Sequence, residues 1–301
     1  EACPAQSRAN TYEMKGLVPY TLNLGGSLMN LGEPQVMGIL NVTPDSFYEK
    51  SRTFDEDAIL RRAKQIAGEG GSIIDIGAYS TRPGSADVDE SEEMSRLRRA
   101  LSVVRKAVPG MPVSIDTFRA DVAKMCVEEY GAEIINDVSG GEGDKRMFST
   151  VARLGVPYIL MHIGGSIDNM HSDAPLTSHA DAEVPYMQSV VSFLTERINR
   201  LHALGAKDII IDPGYGFGKS LQQNYELLNR LEDLKVWQLP LLVGVSRKSM
   251  IYKLLDTDSS QALNGTTVCN TIALMKGASI LRVHDVRAAV EAVKIVKQTL
   301  L

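Results

Sequence analysis

Eight short runs rich in Val, Ile and Leu recur along the chain, separated by longer segments whose apolar residues fall three and four apart. The runs are VMGILN, SIIDIG, PVSID, EIIND, PYILMH, KDIIID, PLLVGVS and SILRVH, starting near Val36, Ser72, Pro112, Glu133, Pro157, Lys207, Pro240 and Ser279. Their alternation with helical segments predicts parallel strands joined by crossover helices. In the helical segments, Asp55 predicts an N-cap ahead of a stripe of Ile59, Leu60, Ala63, Ile66 and Ala67. Asp285 predicts another, ahead of Val286, Ala289, Val290, Val293, Val296 and Leu300. Eight such units predict an α/β protein, a closed (β/α)8 TIM barrel. The rival architecture, a doubly wound open sheet, usually carries a glycine-rich phosphate turn after its first strand. Here that strand ends in NVTPDS, with no glycine until Gly68. Ahead of the barrel, two alternating runs flank Gly25-Gly26 within residues 20–31 and predict an N-terminal β-hairpin. Residues 1–16 read as a loose tail and residues 17–301 as one barrel domain.

A chain of 301 residues can bury roughly three quarters of its unfolded surface, so a large core is available. The net charge of -5 argues against a broad basic face for nucleic acid. Cys3, Cys126 and Cys269 are odd in number, far apart and not at metal-ligand spacing, which predicts reduced thiols in a cytoplasmic protein. No apolar run approaches the ~18 residues of a membrane span, and the first fifteen residues lack the apolar stretch of a signal peptide.

In a barrel of this kind, chemistry sits at the C-terminal ends of the strands. Each apolar run ends in groups that hydrogen bond or ionise. In order they are Asn41; Asp75, followed by Thr81 and Arg82; Asp116; Asn136 and Asp137; His162; Asp212; Ser246, Arg247 and Lys248; and Arg282 with His284. One such residue would pass for a turn former. Eight ends together are costly to bury unless the groups pair with each other or with a ligand. Arg82, Arg247, Lys248, Arg282 and His284 supply cations suited to phosphate oxygens. Asp116, Asn136 and Asp212 supply acceptors. The set predicts a ligand with an anionic tail and a nitrogen-rich, donor-bearing head. Asn41 offers a neutral oxygen that would complete a hydrated Mg2+ held mainly by diphosphate oxygens. PGYGFGKS imitates a phosphate loop but fails its glycine spacing, and His162 and His171 are not at zinc spacing.

The segments MGILNVTPDSF, STRPG, SIDT, IND, DPGYGFGK, SRKS and RVHDV fall in this order at strand ends. Together they resemble the dihydropteroate synthases of the folate pathway, from about Tyr20 to Leu301. The resemblance implies a cytoplasmic (β/α)8 barrel, commonly a homodimer. Such enzymes join 6-hydroxymethyl-7,8-dihydropterin diphosphate to 4-aminobenzoate, giving 7,8-dihydropteroate and diphosphate with Mg2+. Sulfonamides should compete with 4-aminobenzoate. Motif by motif, the resemblance implies a pterin site of Asp116, Asn136, Met161, Asp212 and Lys248. It implies a diphosphate site of Asn41, Arg82, Arg282 and His284, with Asn41 as the metal ligand. It implies an aminobenzoate pocket of Thr81, Arg82, Pro83, Phe217, Ser246 and Lys248. Asp116, Asp212, Lys248, Arg282 and His284 would carry catalysis, and mobile loops would hold Thr43, Pro44, Asp45, Ser46, Phe47, Ser80 and Thr81.

Two places depart from the family pattern. The first loop continues YEKSRTF where an Asp-Gly-Gly turn is frequent, and Tyr79 stands where an acidic residue is common. A pterin-dependent methyltransferase would share the barrel without needing the diphosphate cluster. A catalytically silent pterin binder would be expected to lose anion-binding groups first, and Arg82, Lys248, Arg282 and His284 are all present.

Overall fold

The computed structural model describes residues 19–43, 52–79, 88–165 and 185–300. The expected tail and the expected loop residues Pro44, Asp45, Ser46, Phe47, Ser80, Thr81, Arg82 and Pro83 lie outside them. The chain opens with the expected hairpin, β1 (Thr21–Leu24) and β2 (Ser27–Asn30), with Thr21 opposite Asn30 and Leu24 opposite Ser27. Gly25 and Gly26 turn the corner with φ of 60° and 99°, the left-handed pair that a two-residue hairpin demands.

Eight parallel strands follow: β3 (Gln35–Asn41), β4 (Ile73–Gly77), β5 (Val113–Asp116), β6 (Ile134–Asp137), β7 (Tyr158–Met161), β8 (Ile209–Asp212), β9 (Leu242–Val243) and β10 (Ile280–Val283). Neighbours run β8-β7-β6-β5-β4-β3-β10-β9. The Ile211 N–H donates to the Pro240 carbonyl at 2.9 Å, and Ile211 bridges Leu241 in parallel, which closes the ring into a barrel. Around it lie α1 (Arg52–Gly68), α2 (Glu90–Ala107), α3 (Ala120–Tyr130), α4 (Met147–Leu154), α5 (Tyr186–Ala203), α6 (Leu221–Asn229), α7 (Ser249–Tyr252), α8 (Leu263–Met275) and α9 (Val286–Leu300). The stripes meet the sheet as expected: Ile59, Ala63 and Ile66 of α1 and Val286, Ala289 and Val296 of α9 are buried.

Two expected caps differ. Asp55 lies inside α1, which begins three residues earlier. Asp285 does stand before α9, and its carbonyl accepts from the Ala289 N–H at 3.2 Å. Its carboxylate does not cap the helix, because the Arg247 guanidinium claims both oxygens.

The strands alternate in and out of the barrel. Val36, Ile74, Ile115, Ile135, Leu160 and Ile211 pack with the helices in the outer core. Met37, Ile73, Ile134, Ile159, Ile210, Leu242 and Ile280 point inward near the strand starts. Leu22, Leu24 and Leu31 of the hairpin region join this inner cluster and are buried, so the hairpin plugs the N-terminal end of the barrel. Two residues further along, the inward positions turn polar: Asp75, Ser114, Asn136, Asp212 and Arg282. Burial of the apolar floor supplies the free energy that a polar upper layer lacks.

Candidate active site

Asp75, inward on β4, is the centre of the upper layer and fully buried. Its Oδ2 accepts from Arg282 Nε at 2.6 Å and from Asn136 Nδ2 at 3.1 Å. Arg282, inward on β10, also donates from Nη2 to Asp116 Oδ2 at 2.7 Å, so one guanidinium spans two carboxylates from neighbouring strands. Burial alone would lower the Arg282 pKa, but Asp75 and Asp116 raise it further, so the group stays cationic. Burial pushes the Asp116 carboxyl up to about 7, against the pull of Arg282 and with help from the charge on Asp75. Asn41, at the end of β3, and Asp116 flank Gly77 of β4. A Cβ on Gly77 would lie 3.6 Å from both Asn41 Oδ1 and Asp116 Oδ2, so the missing side chain leaves the gap between those oxygens open.

On the other side of the mouth, Asp212 ends β8. Its Oδ1 accepts from the Gly214 N–H at 2.7 Å. Burial raises its pKa, with Lys248 acting in opposition. Lys248 donates to the Tyr215 carbonyl at 2.6 Å and lies 4.4 Å from the centre of the Phe217 ring. Burial lowers its pKa to about 8, with Asp212 opposing. Met161, inward at the end of β7, is buried beside Gly214.

Lys219, in the same DPGYGFGK segment, was given no role from sequence. Its buried ammonium donates to the carbonyls of His162 at 3.1 Å, Gly214 at 2.7 Å and Phe217 at 3.1 Å. Three donors meet three acceptors, so the charge is solvated by backbone, although burial still lowers its pKa to about 7. The join is tight: the Gly164 N–H donates to the Phe217 carbonyl at 3.3 Å, and a Cβ on Gly218 would collide with the Gly164 carbonyl oxygen. Lys219 therefore ties the loop after β7 to the loop that carries Phe217.

Several strand-end residues take other work. Ser246 Oγ accepts from the His284 backbone N–H at 3.1 Å and lies 3.1 Å from His284 Nδ1, so this hydroxyl braces the histidine. Arg247 does not serve as an anion donor. It chelates Asp285 at 2.8 and 3.0 Å and donates to the Ser259 and Ser260 carbonyls. Asp137 points outward, where it accepts from the Tyr158 hydroxyl at 2.6 Å and from the Gly141 N–H at 3.1 Å. His162 likewise turns from the mouth, packing edge-on against Phe193 of α5 with centroids 4.9 Å apart. Thr43 is buried at the last described position of the first loop.

The structure therefore brings together Asn41, Asp116, Asn136, Met161, Asp212, Phe217, Lys248, Arg282 and His284 at one end of the barrel. Sequence reasoning named Asp75 as a strand-end group without its part as the hub, and missed Ser114, which lies opposite Asp75 and two residues below Asp116 on β5. Asp75 Oδ1, Asn136 Oδ1 and Ser114 Oγ are buried with no hydrogen-bond partner among the described residues. Orphaned acceptors of this kind call for a ligand rich in N–H donors.

Residues 37–284 match the pterin-binding enzyme family. The dihydropteroate synthase of Escherichia coli K12 is 39% identical over 277 residues, covering 91% of this chain and 95% of the relative. Among solved structures, the dihydropteroate synthase of Yersinia pestis in a sulfonamide drug complex is 39% identical with a TM-score of 0.83, covering 93% of this chain and 98% of that one. The Xanthomonas albilineans enzyme with 4-aminobenzoic acid is 36% identical with a TM-score of 0.82, over the same shares of the two chains. A barrel with an apolar floor and an acceptor-rich layer beneath its mouth, matched over nearly its whole length by these enzymes, places this chain in the dihydropteroate synthase family of pterin-binding enzymes.

Proposed function

We propose that this protein condenses 6-hydroxymethyl-7,8-dihydropterin diphosphate with 4-aminobenzoate to give 7,8-dihydropteroate and diphosphate. The orphaned acceptors over Asp75 and Asn136, next to the buried carboxylate of Asp212, carry the reading. A dihydropterin presents amino and ring N–H donors along one edge, and these groups accept them. Asp212 and Asn136 bind that edge, Lys248 donates to the ring's carbonyl, and Met161 packs on its face.

The carbon–oxygen bond to diphosphate then breaks, and the electron-rich ring shares the positive charge left on the exocyclic carbon. Asp116 and Asp75 hold negative charge close to that carbon's ring, while Arg282 keeps both carboxylates in place. His284, braced by Ser246, and Arg82 bind the departing diphosphate. Stabilisation of charge that develops in the transition state is electrostatic catalysis. The aniline nitrogen of 4-aminobenzoate is a weak base, unprotonated at pH 7; its lone pair forms the new C–N bond without a general base, and the cationic adduct then releases its surplus proton to water. Phe217 and Lys248 line its pocket with Thr81 and Pro83, and the same pocket takes sulfonamides.

Asn41 Oδ1, beside the gap that Gly77 leaves open, suits a Mg2+ ion that would arrive on the diphosphate and take most of its hard oxygen ligands from it; the nearby Asp116 Oδ2 is already engaged by Arg282. When bound, the ion neutralises charge on the leaving diphosphate. Two further assignments belong to this reading. The protein is a homodimer, supported by an exposed apolar stripe of Val268, Ile272 and Met275 on α8 that continues to Ile295 on the adjoining α9. It works in the cytoplasm, supported by Cys126 and Cys269, both buried free thiols.

Mixing the protein with dihydropterin diphosphate and Mg2+, with and without 4-aminobenzoate, tests the reaction. Dihydropteroate, identified by mass spectrometry, should form only with aminobenzoate present. Pterin binding with no product would sink the synthase reading.

A further inference from the structure

Arg62 of α1 reaches the strand ends from outside the barrel, and the reading above gives it no part. Gly38 of β3 makes room for the helix: a Cβ there would lie 2.6 Å from Ile66 Cγ2, inside contact distance. Arg62 sits one turn before Ile66 on the same face of α1, so the close approach carries it to the upper ends of the strands. Its Nε donates to the Ile39 carbonyl at 3.1 Å and its Nη2 to the His284 carbonyl at 2.6 Å. The pairing of β3 with β10 ends with Val283 opposite Gly38. Ile39 and His284 are the next residues on the two chains. One guanidinium therefore carries the seam between these strands a step past the end of their ladder, where two backbone acceptors need donors.

The rest of the guanidinium is engaged too. Nη1 donates to Gln65 Oε1 at 3.1 Å, which holds the side chain along its own helix. A planar fork can fix the spacing of two separate acceptors; an ammonium on a flexible stem cannot. His284 is then held at both backbone groups. Its N–H donates to Ser246 Oγ at 3.1 Å, and its carbonyl accepts from Arg62. The next side chain, Asp285, is chelated by Arg247 at 2.8 and 3.0 Å. Past the last ladder pair, side chains from α1 and from the loop after β9 take over the work of the sheet.

We propose that Arg62 is a positioning residue for the anion end of the site, acting through His284. It sets where the His284 imidazole stands relative to Asn41, which lies two residues beyond Ile39 on β3. The proposal rests on the reading that His284 binds diphosphate. The pterin-ring groups Asn136 and Asp212 stand on β6 and β8, neither of which borders the seam between β3 and β10, so ring binding does not depend on Arg62.

The test measures two affinities by calorimetry in the full chain: for inorganic diphosphate with Mg2+, and for 6-hydroxymethyl-7,8-dihydropterin. Arg62→Leu should weaken diphosphate binding about five- to tenfold and leave the pterin Kd within about twofold. Arg62→Lys keeps the charge but cannot span both carbonyls, so it should still weaken diphosphate binding by more than about threefold. The lysine variant decides the matter should the leucine variant fail to fold. In a His284→Ala background, Arg62→Leu should change the diphosphate Kd by less than about twofold, because the residue it positions is gone. An unchanged diphosphate Kd in Arg62→Leu would overturn the proposal. So would full affinity in Arg62→Lys, or an undiminished effect in the His284→Ala background, since either marks a charge acting on its own. Both affinities falling in step would overturn it as well, as general damage. A diphosphate Kd unmoved by His284→Ala alone would instead overturn the reading on which the proposal rests.

Discussion

Arg282 is held by two carboxylates, and its loss would leave the fully buried Asp75 and the half-buried Asp116 side by side without a cation. Removing one partner of a buried ion pair costs about 3–5 kcal/mol, far more than the pair adds over an apolar substitute. Arg282→Met should lower unfolding stability by about that amount in urea titrations. Asp212→Ala removes a buried charged acceptor worth roughly 1.5–3 kcal/mol, so pterin affinity should fall at least tenfold by calorimetry. Lys248 adds a pH dependence. Its proton is lost near pH 8 in the folded protein and near about 10.4 in an unfolded chain. Between those values the unfolded chain binds more protons, so this residue's contribution to stability improves as pH rises. Ligand binding runs the other way: pterin affinity should decline as pH passes about 8, and Lys248→Met should abolish that limb of the profile.

Among elements, the strands and the hairpin were legible because each signal is local: apolar runs, a Gly-Gly turn, and stripes at helical spacing. The polar strand ends were legible too, but their direction was not, since the last residue of a run faces in or out by parity. Asn136 and Asp137 are neighbours, yet one looks into the barrel and the other bonds Tyr158 on the helix side. Met161 and His162 divide in the same way. Counting back by twos from Asp116 reaches Ser114, which reading only the tips passed over, and from Gly77 it reaches Asp75, which stood among the strand-end groups with no part as their hub. Partner choice between distant elements was not legible. Nothing local says that Arg247 will leave the mouth for Asp285, or that Lys219 will seek three carbonyls from two loops. Lys219→Met should strand those carbonyls and cost about 1–3 kcal/mol of stability by denaturant titration, while Lys219→Arg, too large for the closed join, should not restore it.

For the molecule as a whole, two surfaces set its behaviour. One is the apolar stripe on α8. If the proposed dimer forms on this face, placing a charge there, as Ile272→Glu, should shift it to monomer in sedimentation experiments without unfolding it, and a parent protein that sediments as monomer would sink the dimer. The other is the hairpin at the N-terminal end of the barrel. Leu22→Ala, at a fully buried position, should cost about 2–5 kcal/mol of stability, because the inner floor cannot collapse to fill the space. That plug also has a kinetic meaning. With the far end stopped, the barrel is a well with a single opening, and whatever lies deepest has to go in first and come out last. On the proposed function, a pterin on the inward layer of Asn136 and Asp212 would have to enter before an arylamine at the rim, and product would have to leave before a fresh arylamine arrives. Turnover would then be queued by geometry, with traffic in both directions sharing the end of the barrel opposite the hairpin.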